Sequence, residues 1–307
     1  MIMPRFILLL FALFAAVPAH AQDRTVVEHD GTRTLIVETW VPAPPAAIWP
    51  AISTAEGWKS WAVPGAWLVG DLLETSYDPA AKPGDAANIQ QRFIAALPGR
   101  ILVFRTVRTP PGFPHARAFM GVTQFFELIP EGEGARVRLS GTGYPAGAEG
   151  DALLGFFGTG NRTTLNALAA RFALAPLDFL AGHCWKGLLP NGDANTHCFT
   201  RDGATVLDRH EVRRAGKRIH GGETRYGWDG EARAIGFTYG GEGGTGGKGN
   251  VRPAGQDLDF GSTDYATGSG TVTVATRWVR VAADAYEARD TSSDARFTRT
   301  VRYTRVD

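Results

Sequence analysis

From His183 to Asp307 the chain offers no helical period of useful length, and this constrains its fold more than any other feature. In place of helices there are short alternating stretches cut by Gly, Asn and Asp, among them "NTHCFTRD", "TVLDRHEVRR", "ETRYGWDG", "GTVTVATRWVRVA" and "FTRTVRYTRV". Alternation of apolar and polar residues marks a strand with one buried face. Roughly eight to ten such strands without a helix specify an all-β barrel or sandwich. Closure into a barrel is favoured, because an open sheet of that width carries edges of unpaired N–H and C=O groups.

The preceding half has a different texture. "TRTLIVETWVPA" (Thr32 to Ala43) is rich in β-branched residues and reads as a strand. "PPAAIWPAIST" follows as a short helix, since prolines are tolerated in a first turn. Ser53 stands three residues before Glu56, a capping-box spacing that opens a second short helix through Trp58 and Trp61. Beyond Pro64 the pattern is extended, with candidate strands at 66–73, 87–97, 101–109, 118–129 and 136–144. A long helix closes this half: Leu154, Phe157, Leu165, Leu168 and Phe172 keep helical spacing, although Gly158 and Gly160 weaken its first part. "LAPLDF" (Leu174 to Phe179) is an apolar linker. It and the Gly240–Gly249 stretch are where a protease is expected to cut first.

This order of elements and the stretch "PPAAIWPAISTAEGWKSW" resemble the SRPBCC (START/Bet v1-like) superfamily, and within it the group named for the activator of Hsp90 ATPase. The stretch matches that group's Pro-x-x-x-hydrophobic-Trp-x-x-hydrophobic opening and its following Trp. The resemblance covers residues 33–172 and implies an α+β helix-grip domain, a curved antiparallel sheet around a long helix, with a cavity for an apolar small molecule. Candidate lining residues are Trp67, Tyr77, Phe93, Phe104, Phe126 and Tyr144 from the strands, and Phe157 from the helix. The plainer reading of each is that it fills a core. Arg92, His115 and Gln124 are candidates for orienting a ligand. No Ser-His-Asp order, carboxylate pair or HExxH motif is present, so no catalytic constellation is readable.

The second half, residues 178–307, resembles bacterial lipocalin-like (calycin-type) barrel domains that begin Leu-x-Gly-x-Trp, on the strength of "FLAGHCWKG" followed by "ETRYGWDG". That resemblance implies an all-β, up-and-down barrel around a ligand cavity. Trp185, Trp228, Phe237, Tyr239 and Trp278, with Tyr303, would stand near its lumen or ends. "GGEGGTGGKGN" invites a phosphate-loop reading but fails on spacing: Glu242 stands where the first glycine belongs and Gly249 where Ser or Thr should hold magnesium. It reads instead as a flexible strand connection or a loop at the barrel mouth.

"GHCWKGLLPNGDANTHC" contains both cysteines of the chain, each preceded by a histidine. Neighbours on a strand point to opposite faces, so a His-Cys pair does not converge on one metal. The cysteines lie symmetrically about Asn191, in the turn "PNGDA", and an antiparallel hairpin sets them opposite each other within disulfide range. A disulfide is therefore favoured over a zinc or haem site, and no metal or other cofactor is expected. His183 and His197 remain weak site candidates, each able to face the lumen if its cysteine faces out.

Compartment agrees with this pairing. "MIMPRFILLLFALFAAVPAHAQ" has Arg5, an apolar run from Phe6 to Val17, and an Ala19-His20-Ala21 cleavage site. It reads as a signal peptide over residues 1–21, the run being too short for a membrane anchor. The mature protein is expected to be periplasmic or secreted, where disulfides persist, with no integral membrane segment. A net charge of +1, from 32 basic and 31 acidic residues, argues against a nucleic-acid partner.

Two consecutive cavity-forming folds without a catalytic signature point to a binder or carrier of a small hydrophobic molecule. A cyclase, hydrolase or isomerase using the helix-grip cavity is the alternative, and a protein-binding accessory module ranks third. Mass measurement of exported protein should show two hydrogens fewer than after reduction. Two freely alkylated thiols would overturn the pairing of Cys184 with Cys198.

Overall fold

Alternation decides how the first half packs. The computed structural model describes residues 24–306, and residues 1–21, expected to be a signal peptide, lie outside them. After β1 (Arg24–Val27), strand β2 (Arg33–Val41) turns Leu35, Val37, Thr39 and Val41 inward and Trp40 outward. Two short helices follow, α1 (Pro45–Ser53) and α2 (Ala55–Lys59). The cap of α2 is Thr54 rather than Ser53: its hydroxyl accepts from the Gly57 N–H at 2.9 Å, while Ser53 donates back to Trp49 O within α1.

Strands β3 (Gly65–Val69), β4 (Leu72–Ser76), β5 (Ile89–Leu97), β6 (Ile101–Arg108), β7 (Thr123–Glu131) and β8 (Gly134–Tyr144) complete an antiparallel sheet in the order β1-β2-β8-β7-β6-β5-β4-β3. Residues 118–120, expected to begin a strand, belong instead to α3 (Ala116–Met120). Helix α4 (Ala148–Ala173) lies on this sheet, with Leu153, Leu165, Leu168 and Ala169 buried in the same core as Leu35, Val37 and Phe126.

The segment after α4 is not an open linker. Leu174, Leu177 and Leu180 are fully buried, and they belong to the core of the second half with Trp185 and Tyr286. Phe179 meets both of those rings edge-on, at 5.9 and 6.3 Å. The apolar composition of "LAPLDF" therefore reflects a plug at one end of the barrel.

The barrel has ten antiparallel strands and is closed. They are β9 (Cys184–Leu188), β10 (Ala194–Asp202), β11 (Thr205–Arg214), β12 (Lys217–Asp229), β13 (Ala234–Gly241), β14 (Gly246–Ala254), β15 (Asp257–Thr267), β16 (Gly270–Ala282), β17 (Ala285–Ser292) and β18 (Arg299–Arg305). The short β9 pairs with β10 on one side and β18 on the other. Cys184 and Cys198 are cross-strand partners on β9 and β10, with Cα atoms 4.0 Å apart, and are disulfide-bonded. At Gly187 a Cβ would lie 2.9 Å from Arg302 O and 2.7 Å from a Val301 methyl, so only glycine permits the approach of β9 to β18. The glycine-rich run divides: residues 246–254 form β14, and only the turn at 242–244 is an exposed connection.

The two halves also touch at their sides. Trp40 of β2 stacks on Trp228 of β12 at 5.9 Å, and the Arg233 guanidinium covers Trp40 while bonding Glu131 at 2.6 Å. Limited proteolysis should cut first at 242–244 and spare 174–180, because Leu174, Leu177 and Leu180 hold the latter segment in the barrel core. Leu177→Ala should cost about 2–5 kcal/mol, read as a lower urea midpoint. A variant as stable as the parent would show that the segment does not plug the barrel.

Candidate functional site in the barrel lumen

Lumen-facing residues alternate along every barrel strand, and on β11 they are Val206, Asp208, His210 and Val212. Val206 lies fully buried in the core beside the plug, and Val212 lies toward the opposite end. Between them is a cavity of about 380 Å³. Its far rim includes Leu189, Thr245, Thr267 and Phe297, all half-buried.

The walls are mostly aromatic. Trp278 lies 4.7 Å from Phe260 and 5.2 Å from Tyr286, and Tyr286 stacks on Tyr303 at 5.0 Å. Set into one side is a polar column. His197 Nδ1 lies 2.8 Å from Asp208 Oδ2, and Asp208 is only 1% exposed. The Asn195 amide nitrogen is 3.0 Å from His197 Nε2 and donates to the Tyr303 hydroxyl at 2.8 Å.

His197 and His210 are direct cross-strand partners, and their rings stack at 5.1 Å. His220 follows at 5.7 Å, with Nε2 lying 3.3 Å from the Tyr239 hydroxyl. Gly222, opposite His210, makes room for this column: a Cβ there would come within 2.8 Å of both the His210 and Tyr239 rings. The histidines are arranged ring over ring rather than around a point. Among the described residues no group of three His, Cys, Asp or Glu side chains could hold a metal ion.

Burial sets the protonation of this wall. It pulls His210 down to about 4, helped by the neighbouring His197, so its imidazole is neutral near pH 7. Burial also pushes the Tyr265 and Tyr303 hydroxyls up to about 12, and those of Tyr226 and Tyr286 well above the ordinary range. Arg299 bonds Asp290 at 3.0 Å on the same wall.

Three of the expected barrel aromatics, Phe237, Tyr239 and Trp278, line this cavity, as does Tyr303. Trp185 lies below it, fully buried, with its indole N–H aimed at Leu180 O. Trp228 does not line the cavity: it packs at the margin of both cores and stacks on Trp40. His197 faces the lumen, whereas His183 lies outside it with Nε2 3.5 Å from Arg305.

In the first half, Phe104, Phe126 and Tyr144 are buried among their neighbours: Phe104 stacks on Phe126 at 5.8 Å and Trp58 meets Phe126 edge-on. Phe157 stacks on Phe119 at 4.3 Å, and Phe93 packs at the margin of the same core. Trp67 is half-buried on β3, while Tyr77 is 73% exposed and joins no cluster with the others. Gln124 is buried beside Thr106, Arg92 pairs with Asp71 on the surface, and His115 meets Glu149 there. Sequence reasoning passed over Asp208, His210, His220, Tyr226, Phe260, Tyr265 and Tyr286. The signal was present in "TVLDRHEVRR", where period two places Asp208 and His210 on one face.

Fold and site together define an α+β domain followed by a closed ten-stranded barrel with a part-polar lumen. Residues 33–173 match the family described as "Polyketide cyclase / dehydrase and lipid transport", which supports the SRPBCC-type reading of that half. Among solved structures, the chain is similar to the Aha1 dimer from Colwellia psychrerythraea at 16% identity, covering 44% of this chain and 96% of that one with a TM-score of 0.34. It is similar to CalU16 from Micromonospora echinospora at 18% identity, with 48% and 81% covered and a TM-score of 0.35. A putative uncharacterized protein from Bacillus thuringiensis matches at 17% identity, with 45% and 98% covered and a TM-score of 0.37. No curated protein matches the chain.

The neutral His210 gives a pH test. Unfolded, it takes up a proton near the ordinary value of 6.5, while in the folded chain it does so only near 4. Its contribution is therefore intact above pH 6.5 and is lost progressively as pH falls toward 4, by about 3 kcal/mol in all. His210→Gln should flatten that part of the pH–stability curve. An unchanged slope would show that His210 titrates as a solvated histidine.

Proposed function

We propose that this protein is an exported binder or carrier of a small, mainly apolar molecule, and that the molecule sits in the lumen of a lipocalin-like barrel. The observation that carries the reading is the cavity of about 380 Å³, walled by aromatics and plugged at one end by the segment after α4. Burying roughly 300 Å² of apolar ligand surface at ~25 cal/mol per Å² corresponds to about 7.5 kcal/mol, in the micromolar range. The disulfide fits an exported chain, and among the described residues no helix is long and apolar enough to cross a membrane. The family matched by the first half, whose description includes lipid transport, supports a hydrophobic ligand. The helix-grip half then serves as a partner domain whose own aromatics pack against one another.

The His197–Asp208 pair favours a second reading, in which the lumen holds a general base and the ligand is a substrate. A change in ligand mass after incubation would select it over carriage.

The neutral probe N-phenyl-1-naphthylamine should bind the delipidated protein with micromolar affinity. Val272→Trp, at the rim of the lumen, should weaken it at least tenfold. Binding unchanged by that variant would place the probe elsewhere, and absence of binding would overturn the reading.

A further inference from the structure

Buried polar atoms in folded proteins almost always have hydrogen-bond partners, and a buried carboxylate oxygen without one is costly. In the first half single atoms escape it, Asn88 Oδ1, Gln91 Oε1 and the Nε of Arg33 and Arg136 among them, but the buried carboxylate there obeys it. Glu74, nearly buried, accepts from Gly84 N, Asn88, Gln90 and Arg108 at 2.6–3.3 Å, using both its oxygens. The lumen breaks it. Asp208 Oδ1, Asn195 Oδ1 and the Tyr286 hydroxyl are buried without a partner, and all three residues line the same cavity. They are 1%, 7% and 0% exposed, so the cavity is the only open space beside them.

The character of the missing partner follows from what surrounds these atoms. His197 Nδ1 lies 2.8 Å from Asp208 Oδ2, and its Nε2 lies 3.0 Å from the Asn195 amide nitrogen, which also donates to the Tyr303 hydroxyl. The one arginine of the lining, Arg299, is engaged by Asp290, so those two cancel. Counting carboxylates against arginines, the lining holds Asp208 and Asp290 against Arg299 alone, an excess of one acid. Asp208 Oδ1 and Asn195 Oδ1 are acceptors, and they ask for a donor. Trp278 and Tyr303, which line the same cavity, add aromatic surface of the kind that attracts cations.

We propose that the lumen takes a monocationic amine, an ammonium group on an apolar ring body, whose N–H groups satisfy the free oxygens of Asp208 and Asn195. The proposal rests on the lumen being the ligand site and adds the charge of the ligand. An anion meets Asp208 unfavourably there. An alcohol of the same shape satisfies at most one acceptor and brings no charge, whereas an ammonium brings charge-assisted bonds.

Calorimetry on the delipidated full chain at pH 7.5 should compare 2-(1-naphthyl)ethylamine, 2-(1-naphthyl)ethanol and 1-naphthylacetate, with N-phenyl-1-naphthylamine as the neutral reference. The amine should bind at least tenfold tighter than the alcohol, and the carboxylate should not bind. Asp208→Asn should bring amine and alcohol to within threefold of each other. An amine no tighter than the alcohol, or an amine preference that survives Asp208→Asn, would overturn the proposal and leave the lumen as an apolar site. If the neutral probe also fails to bind the wild-type chain, the ligand-site reading falls and this proposal with it. Should Asp208→Asn not fold, as judged by near-ultraviolet circular dichroism, the amine-to-alcohol ratio of the wild-type chain decides the matter.

Discussion

The barrel depends on a closure made by its shortest strand. β9 has five residues and must satisfy the edges of both β10 and β18, so a failure there would reopen a ten-stranded sheet along two unpaired edges. Three features hold it in place. The disulfide ties it to β10, Gly187 lets it approach β18, and the buried Trp185 anchors its inner face. The cross-link joins residues 14 apart, and a loop of that size removes about 3 kcal/mol of freedom from the unfolded chain in the entropic account. Closure in turn creates an interior that side chains alone do not fill.

What fills that interior is unusual for a core. Fully apolar walls would be the cheaper solution, since a buried ion pair offsets its desolvation only when every lone pair is used. Here a carboxylate, an amide, three imidazoles and several phenols share one face of the lumen, with aromatic rings elsewhere. The phenols and His210 are held neutral by burial, so the wall is polar without being highly charged. Such a wall gives direction to a ligand that an apolar cavity would hold only by shape.

The halves are not strung together as independent beads. The last turn of α4 and the residues after it are shared property, because Ala170, Leu174, Leu177 and Leu180 are buried with the barrel core. A sideways contact between Trp40 and Trp228, covered by Arg233, ties the sheet of the first domain to β12. The floor of the lumen is thus built from the end of the helix that also packs the first sheet. The helix-grip domain thereby acts as a foundation for the barrel.

Much of this was legible in the residues. Period-two patterning and turn residues specified two sheets, because burial of one strand face forces alternation whatever the tertiary context. The cysteine pairing followed from hairpin symmetry about Asn191, a local constraint. The cap of α2 slipped by one residue, from Ser53 to Thr54, because both hydroxyls were available and only backbone geometry chooses between them. Other features were decided by the tertiary structure. Whether an aromatic fills a core or lines a space depends on how much volume closure leaves, and so Phe126 packs against Trp58 while Trp278 faces a cavity. Trp228 packs at the margin of both cores and meets Trp40 of the neighbouring domain, a contact no strand pattern contains. Asp208 reads in sequence as one more charge in "LDRHE". Its burial, and the lone pair left unused, exist only because ten strands far apart in sequence enclose it.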